Sequence, residues 1–335
     1  MSKRTVLTGI TTTGTPHLGN YVGAIKPCIE ASHQDDVNSY YFLADYHSLV
    51  KNKDPEKMRQ STLEIAATWL ALGLDTDKAA FYRQSDIPEI PELTWIITCS
   101  TAKGLMNRSH AYKAVVQENT AAGEDPDFGI SMGLFSYPIL MAADILMFGS
   151  THVPVGKDQI QHLEMARDIA QRFNHHYGEL LVIPQAVTSE HVAVLPGKDG
   201  RKMSKSYNNT IPLWLPEKQL RKAIMRIVTN SLEPGEPKDP DDSSLFAIYA
   251  AFASEEQRAE MRQAFADGIG WGQAKQQTFE LINAELAESR ERYEELVTHP
   301  ARIEEVLVDG ASKARAFATP YLARIREAVG LKKLA

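Results

Sequence analysis

Short apolar runs alternate with amphipathic stretches over the first half of the chain. The runs at residues 5–9, 39–44 and 79–82 are rich in β-branched, aromatic or small apolar residues, which is typical of buried strands. Between them, residues 18–29 and 56–72 carry apolar side chains at helical spacing, and Gly73 provides a stop for the second helix. This alternation predicts a parallel sheet with helices on both faces.

The pattern continues to about residue 200 and then changes. Residues 151–155 and 180–183 are two further strand candidates, separated by an amphipathic helix over about 158–173. The polar stretch 117–127 is typical of a surface insertion. After Ile211 we expect only helices, interrupted by an acidic, proline-rich loop at 233–242.

The predicted fold class is therefore α/β, with a doubly wound parallel-sheet (Rossmann-like) domain followed by an all-helical domain. We expect the first domain to cover residues 1–212 and the helical domain 213–335, with the last helix packing back on the first domain.

Composition narrows the class of protein. The 335 residues are 43% hydrophobic and 24% charged, as in globular proteins, and no apolar stretch approaches the length of a membrane span. The N-terminal residues lack the apolar core of a secretory signal, so we expect a cytoplasmic protein without a membrane partner.

Cys28 and Cys99 both have apolar neighbours, which favours small buried hydrophobes over a disulfide framework. His175 and His176 lack metal-ligand spacing, and no structural metal is expected.

Charge is unevenly distributed. The formal net charge is −7, but residues 311–335 hold six basic residues against Glu327 alone, a local balance of +5. Such a tail suits a polyanion, although a solvated helix face with favourable charge at its C-terminus is an equally ordinary interpretation.

Polar residues follow the predicted strands, where the ligand crevice of a parallel sheet lies. Asp45 and His47 come directly after the second strand. The segment from Gly14 to Asn20, which includes His17, joins the first strand to the first helix, where free backbone N–H groups favour phosphate oxygens. On its own this segment also fits a plain turn before a helix.

A second candidate segment lies near residue 200. After Asp199 and Gly200 it places two lysines and two hydroxyls within five residues: Lys202, Met203, Ser204, Lys205 and Ser206. A basic surface loop is the simple interpretation. The alternative is a loop that clamps a triphosphate and stabilises charge on a leaving pyrophosphate.

Together the two segments resemble the signatures of class I aminoacyl-tRNA synthetases, His-Ile-Gly-His and Lys-Met-Ser-Lys-Ser. The second is matched in full at 202–206, and the first as Pro-His-Leu-Gly-Asn at 16–20. The final asparagine, the stretch 137–146 and the stretch 153–159 are similar to the tryptophanyl branch, bacterial type. The resemblance covers essentially the whole chain.

One helical face supports this resemblance independently. Tyr137, Met141 and Asp144 are spaced four and three apart and so share a face. A carboxylate in an apolar pocket needs a donor, and an indole N–H is a donor only. Tyrosyl enzymes typically carry glutamine where this chain has Met141. A structural aspartate in a core helix is the alternative.

The resemblance implies roles for matching positions. The catalytic residues would be Lys202, Ser204 and Lys205. ATP would contact these and Met203, Ser206, Thr11, Thr12, Thr13, His17, Gly19, Asn20, Gly156, Lys157, Asp158 and Val192. Tryptophan would contact Leu7, Gly9, His47, Tyr137, Met141, Asp144, Val153, Val155 and Gln159. Lys113 is a candidate contact for the terminal phosphate. Two positions depart from the common bacterial pattern, Leu7 for phenylalanine and Thr11 for glutamine.

The function implied is ATP-dependent activation of L-tryptophan and its transfer to tRNA(Trp), with Mg²⁺ carried in by ATP. A homodimer is expected from the family. The alternatives are a tyrosyl-tRNA synthetase and a non-catalytic tRNA-binding paralogue.

Overall fold

The computed structural model describes residues 4–154, 159–187 and 194–332. Its sheet has five parallel strands in the order β3-β2-β1-β4-β5. The strands are β1 (Arg4–Ile10), β2 (Val37–Leu43), β3 (Ala80–Arg83), β4 (His152–Pro154) and β5 (Gln185–Val187). The chain extends the sheet from β1 in one direction and then in the other, which is the doubly wound arrangement that the sequence predicts.

Helices connect the strands. They are α1 (Leu18–Asn20), α2 (Lys26–Ser32), α3 (Asp45–Ser48), α4 (Pro55–Ala71), α5 (Glu89–Ser100), α6 (Lys103–Met106), α7 (His110–Ala121), α8 (Met132–Met147) and α9 (Ile160–Tyr177). A π-helical turn, Tyr21–Ile25, joins α1 to α2, so the first predicted helix is one helical segment with a change of pitch. Asp54 caps α4 by accepting the backbone N–H groups of Glu56 and Lys57.

Successive strand residues pack on opposite sides of the sheet. Tyr41 and Phe81 belong to a hydrophobic cluster shared with the helices that follow residue 213, whereas Phe42 and Tyr82 belong to a cluster shared with α5, α8 and α9. Both faces of the sheet are therefore covered. The amphipathic patterns predicted this layering correctly.

One predicted strand is wrong. Residues 180–183 form no strand, and β5 lies a few residues later. The side chain of Asn174 on α9 accepts the N–H of Leu181 at 2.9 Å and donates to its carbonyl oxygen at 2.8 Å. These bonds occupy the backbone groups that a strand would need for its ladder.

Two other expectations need correction. Cys28 is buried as expected, but Cys99 is exposed on α5, because Ile96 and Ile97 pack inward while Cys99 faces outward. The stretch 117–127 begins inside α7, so the helix extends into the predicted insertion; all but one of its residues are exposed.

The chain after Ile211 is helical in its described part. Its helices are α10 (Glu217–Met225), α11 (Ser244–Phe252), α12 (Glu255–Ala266), α13 (Trp271–Thr298) and α14 (Pro300–Ala328). The loop before α11 closes around Lys238, whose Nζ donates to the carbonyl oxygens of Glu233 and Glu236, both at 2.9 Å. No described helix is both long enough and apolar enough to cross a bilayer.

The final helix α14 returns to the edge of the sheet and packs against β3. Arg83 at the end of β3 holds Glu304 through two bonds, of 2.8 and 2.6 Å. Further along α14, Arg315 pairs with Glu89 and Arg326 with Glu92, both on α5. Two positive charges of the basic tail thus face carboxylates of α5.

Candidate functional site

A cavity of about 900 Å³ opens at the carboxyl ends of the strands, beside β1, where the strand order reverses. It brings together most of the predicted tryptophan contacts and two predicted ATP contacts. These lining residues are Leu7, Gly9, Thr11, Thr13, His47, Tyr137, Met141, Asp144, Val153 and Gln159. The predicted contacts Val155, Gly156, Lys157, Asp158 and Val192 lie outside the described residues.

The floor of the cavity requires a glycine. A Cβ atom on Gly9 would stand 2.4 Å from the ring of Phe42, its partner in the β1–β2 register. Leu7, two residues earlier on the same strand, is buried and also lines the cavity. Because Gly9 has no side chain, the backbone of β1 itself forms part of the cavity wall.

Asp144 is the buried charge of this cavity, and its side chain is only 2% exposed. His47 Nε2 lies 2.9 Å from its Oδ2, and Gln84 Nε2 donates to Oδ1 at 2.8 Å and to Oδ2 at 2.9 Å. Burial raises the pKa of Asp144, while the bonds from His47 and Gln84 act against that rise. A carboxylate in this position places a hydrogen-bond acceptor in the wall of an apolar pocket.

The rings of Tyr137 and His47 line the cavity together with Asp144. The Tyr137 hydroxyl is 2.9 Å from His162 Nε2, and the Tyr137 ring is nearly perpendicular to that of His47, with centroids 6.3 Å apart. Met141 lies between Tyr137 and Asp144 on α8 and is partly buried. The shared helical face predicted from the sequence thus points into the cavity.

His17 begins the first helix and has a fixed tautomer. Its Nδ1 accepts the backbone N–H of Asn20 at 3.3 Å, and the Asn20 side chain accepts the His17 N–H at 3.1 Å, forming a capping box. Burial, together with the charge of Lys205, lowers the pKa of His17 to about 4. At neutral pH the ring is therefore uncharged, and its proton is on Nε2.

Lys205 brings the second signature against the first. It lines a smaller cavity of about 250 Å³ with Thr11, Thr13, Gly14 and Asn20, and its Nζ donates to the carbonyl oxygen of Thr13. Burial lowers the pKa of Lys205. A cation beside the polar side chains of Thr11, Thr13 and Asn20 suits phosphate oxygens.

The signature loop is held by a residue outside the signature. Asn209 is buried; its Oδ1 accepts the N–H of Ser204 at 2.8 Å, and its Nδ2 donates to Asp199 at 2.6 Å and to the carbonyl oxygen of Lys202 at 3.0 Å. The Ser204 and Ser206 hydroxyls are 2.8 Å apart. Met203 is buried beneath the loop, beside Gly19.

Some predicted residues lie elsewhere. The Thr12 side chain is buried and bonded to the Ser48 hydroxyl at 2.7 Å, so only its backbone is available to a ligand. Lys113 is exposed on α7, whereas its neighbours Ala111 and Ala114 line the large cavity. Lys202 is also exposed. In the described ranges no group of three metal-ligating side chains occurs.

Sequence reasoning missed Gln84 and Asn209. Gln84 is the first residue after β3, so the rule that singled out Asp45 and His47 after β2 also applies to it. Asn209 carries no comparable signal, because its bonds depend on how the loop folds back.

Comparison with known proteins agrees with this geometry. The family model "tRNA synthetases class I (W and Y)" matches residues 2–287. The tryptophan–tRNA ligase of Pseudomonas aeruginosa is 64% identical over 332 residues, covering 98% of this chain and 74% of that protein. The tryptophan–tRNA ligase of Neisseria meningitidis is 60% identical over 335 residues, covering 100% of both.

Solved structures give the same result. The crystal structure of tryptophanyl-tRNA synthetase from Campylobacter jejuni complexed with ADP and tryptophan matches with a TM-score of 0.87 and 44% identity, over 98% of this chain and 100% of that one. The chain belongs to the class I tRNA synthetases of the tryptophan and tyrosine family.

Proposed function

We propose that the protein is a tryptophan–tRNA ligase. The observation that carries the proposal is Asp144, a buried carboxylate presented by α8 to an apolar cavity beside Met141. An indole N–H is a donor that this carboxylate can accept in addition to His47 and Gln84, and the rest of the ring suits the surrounding apolar wall. The named relatives and the complex with ADP and tryptophan support the same substrates.

The first step is adenylate formation. The tryptophan carboxylate attacks the α-phosphorus of ATP in line, the bond to the β-phosphate breaks, and pyrophosphate leaves. The charge that grows on the leaving group is stabilised by Lys202, Ser204 and Lys205, together with the Mg²⁺ that ATP carries in. Neutral His17 donates from Nε2 to a phosphate oxygen, as its tautomer allows.

The second step transfers the amino acid. A hydroxyl of the 3′-terminal ribose of tRNA(Trp) attacks the carbonyl carbon of the adenylate, gives up its proton and releases AMP. No covalent enzyme intermediate is needed, so the protein contributes alignment and charge stabilisation. The contacts predicted for ATP and tryptophan, including those outside the described residues, are part of this proposal.

We further propose a division of labour along the chain. Residues 1–212 carry the chemistry and residues 213–335 recognise the tRNA, in a cytoplasmic homodimer. Arg324 on α14 is the simplest test residue, because it is exposed, whereas Arg326 is paired with Glu92. Arg324→Glu should weaken tRNA binding and reduce its salt dependence while tryptophan-dependent exchange stays unchanged. Unaltered tRNA affinity at low salt would remove Arg324 from the RNA path.

The direct test of the first step is pyrophosphate exchange into ATP with each of the twenty amino acids. We expect exchange with tryptophan alone, because the tyrosine hydroxyl would meet Met141 and its smaller ring would leave space unfilled. Exchange with tyrosine would favour a tyrosyl-tRNA synthetase. No exchange, with tRNA binding retained, would favour a non-catalytic paralogue.

A further inference from the structure

Gln84 is hydrogen-bonded to Asp144 and has no part in the two reaction steps proposed above. The side chain of Gln84 is fully buried at the end of β3, and its amide nitrogen bridges both carboxylate oxygens, at 2.8 and 2.9 Å. His47 approaches one of the same oxygens from the end of β2. Two neighbouring strand ends therefore supply donors to one carboxylate.

The carbonyl oxygen of the Gln84 amide lowers the stability of the folded protein. Gln84 Oε1 is buried without a hydrogen-bond partner in the described part of the chain, and so is the hydroxyl of Tyr82, two residues earlier on β3. An unsatisfied buried acceptor destabilises the folded state, so an apolar side chain of similar size would serve equally well as packing. What the amide provides is an N–H donor, shared between the two carboxylate oxygens of Asp144.

The bonds from Gln84 and His47 leave one acceptor position of the Asp144 carboxylate unoccupied. A carboxylate has about four acceptor positions. In the described residues, the shared N–H of Gln84 occupies one position on each oxygen, and His47 occupies a second position on Oδ2. The remaining position is on Oδ1, and Asp144 lines the large cavity.

We propose that Gln84 is a positioning residue for substrate selection: it fixes the Asp144 carboxylate so that Oδ1 accepts the indole N–H of tryptophan. This inference rests on the proposed function, since it needs an indole in the cavity. Gln84 acts only through Asp144 and touches neither ATP nor the reacting atoms.

The test compares tryptophan with β-(3-benzothienyl)alanine, in which sulfur replaces the indole N–H. The quantity measured is the ratio of the two kcat/KM values in pyrophosphate exchange, which does not depend on how much of the enzyme is folded. Gln84→Met keeps the size of the side chain and removes its N–H donor, and should lower this ratio by about 3- to 10-fold. Ser85→Ala is the matched control, because the Ser85 hydroxyl bonds to Asp45 instead of Asp144; its ratio should not change.

A pH profile separates positioning from general damage to the pocket. Burial and the charge of Asp45 raise the pKa of Asp144, whereas His47 and the Gln84 bond lower it. Loss of the Gln84 bond should therefore raise that pKa, and a protonated Asp144 loses acceptor capacity. The ratio should therefore begin to fall at a higher pH in Gln84→Met than in the unmodified enzyme. Gln84→Asn, which keeps a polar group in the wall but withdraws it, should shift the profile in the same direction.

The outcomes separate the two claims. Suppose that the unmodified enzyme prefers tryptophan and that both Gln84 variants keep the same ratio and the same pH profile. This result would overturn the positioning role of Gln84 and leave the proposed function intact. Unmodified enzyme without tryptophan-dependent exchange would overturn the proposed function itself.

Discussion

Gly310 of α14 lies directly against Phe81 of the edge strand β3. A Cβ atom on Gly310 would stand 1.8 Å from the carbonyl oxygen of Phe81 and 2.5 Å from its carbonyl carbon. The neighbouring atoms are backbone, so no side-chain rotation can make room. The last helix thus covers the open edge of the sheet through a contact that only glycine permits.

Gly310→Ala should lower the free energy of unfolding by about 3 kcal/mol, because the helix must move away from the strand. Urea unfolding measures the change. Gly272→Ala on α13 is the matched control: no atom lies within 4 Å of the added Cβ, so alanine should stabilise by about 0.5–1 kcal/mol. An equal change in the free energy of unfolding at the two positions would show that α14 does not pack closely on β3.

His17 should make stability depend on pH. Its pKa falls from 6.5 to about 4 in the folded protein, so between these values the unfolded chain binds more protons. The stabilisation is present above the unfolded pKa and is lost as pH falls toward the folded one. Between pH 7 and pH 5, the unmodified protein should lose roughly 1–2 kcal/mol more than His17→Gln, allowing for partial exposure. Urea unfolding at both pH values measures this difference. If the free energy of unfolding fell by the same amount in both proteins, the buried neutral ring would be contradicted.

The signature lysines should act on the rate of adenylate formation. Lys205→Ala or Lys202→Ala should each slow this step by about 100-fold or more, roughly 3–4 kcal/mol, because each lysine stabilises charge on the leaving pyrophosphate. Single-turnover kinetics measures the rate, and tryptophan affinity should be nearly unchanged. Lys198→Ala on the same loop, outside the signature, is the control. Unchanged rates in both lysine variants would remove this role.

The sequence predicted the layers of the fold well, because strand and helix periods differ and each buried face leaves its pattern. The common face of Tyr137, Met141 and Asp144 follows from the same periodicity. The missing strand at 180–183 depended on the Asn174 side chain, a contact between a helix and a loop that no local pattern records.

Parts of the site were equally beyond local reasoning. The contact between Gly310 and Phe81 joins residues far apart in the chain, and a glycine within a helix does not show what it approaches. Gln84 could have been found from its place after β3. Its bond to Asp144, 60 residues later, required the register of strands and helix α8.

Asp144 selects tryptophan, in the function proposed above, by accepting the indole N–H. The most direct measurement is pyrophosphate exchange by Asp144→Ala with tryptophan and with β-(3-benzothienyl)alanine. Loss of a hydrogen bond to a buried charge, roughly 1.5–3 kcal/mol, should lower kcat/KM for tryptophan by about 10- to 150-fold and remove most of the preference for tryptophan over the analogue. If Asp144→Ala still preferred tryptophan by the unmodified factor, the carboxylate would not contact the indole nitrogen, and Asp144 would have only a structural role in α8.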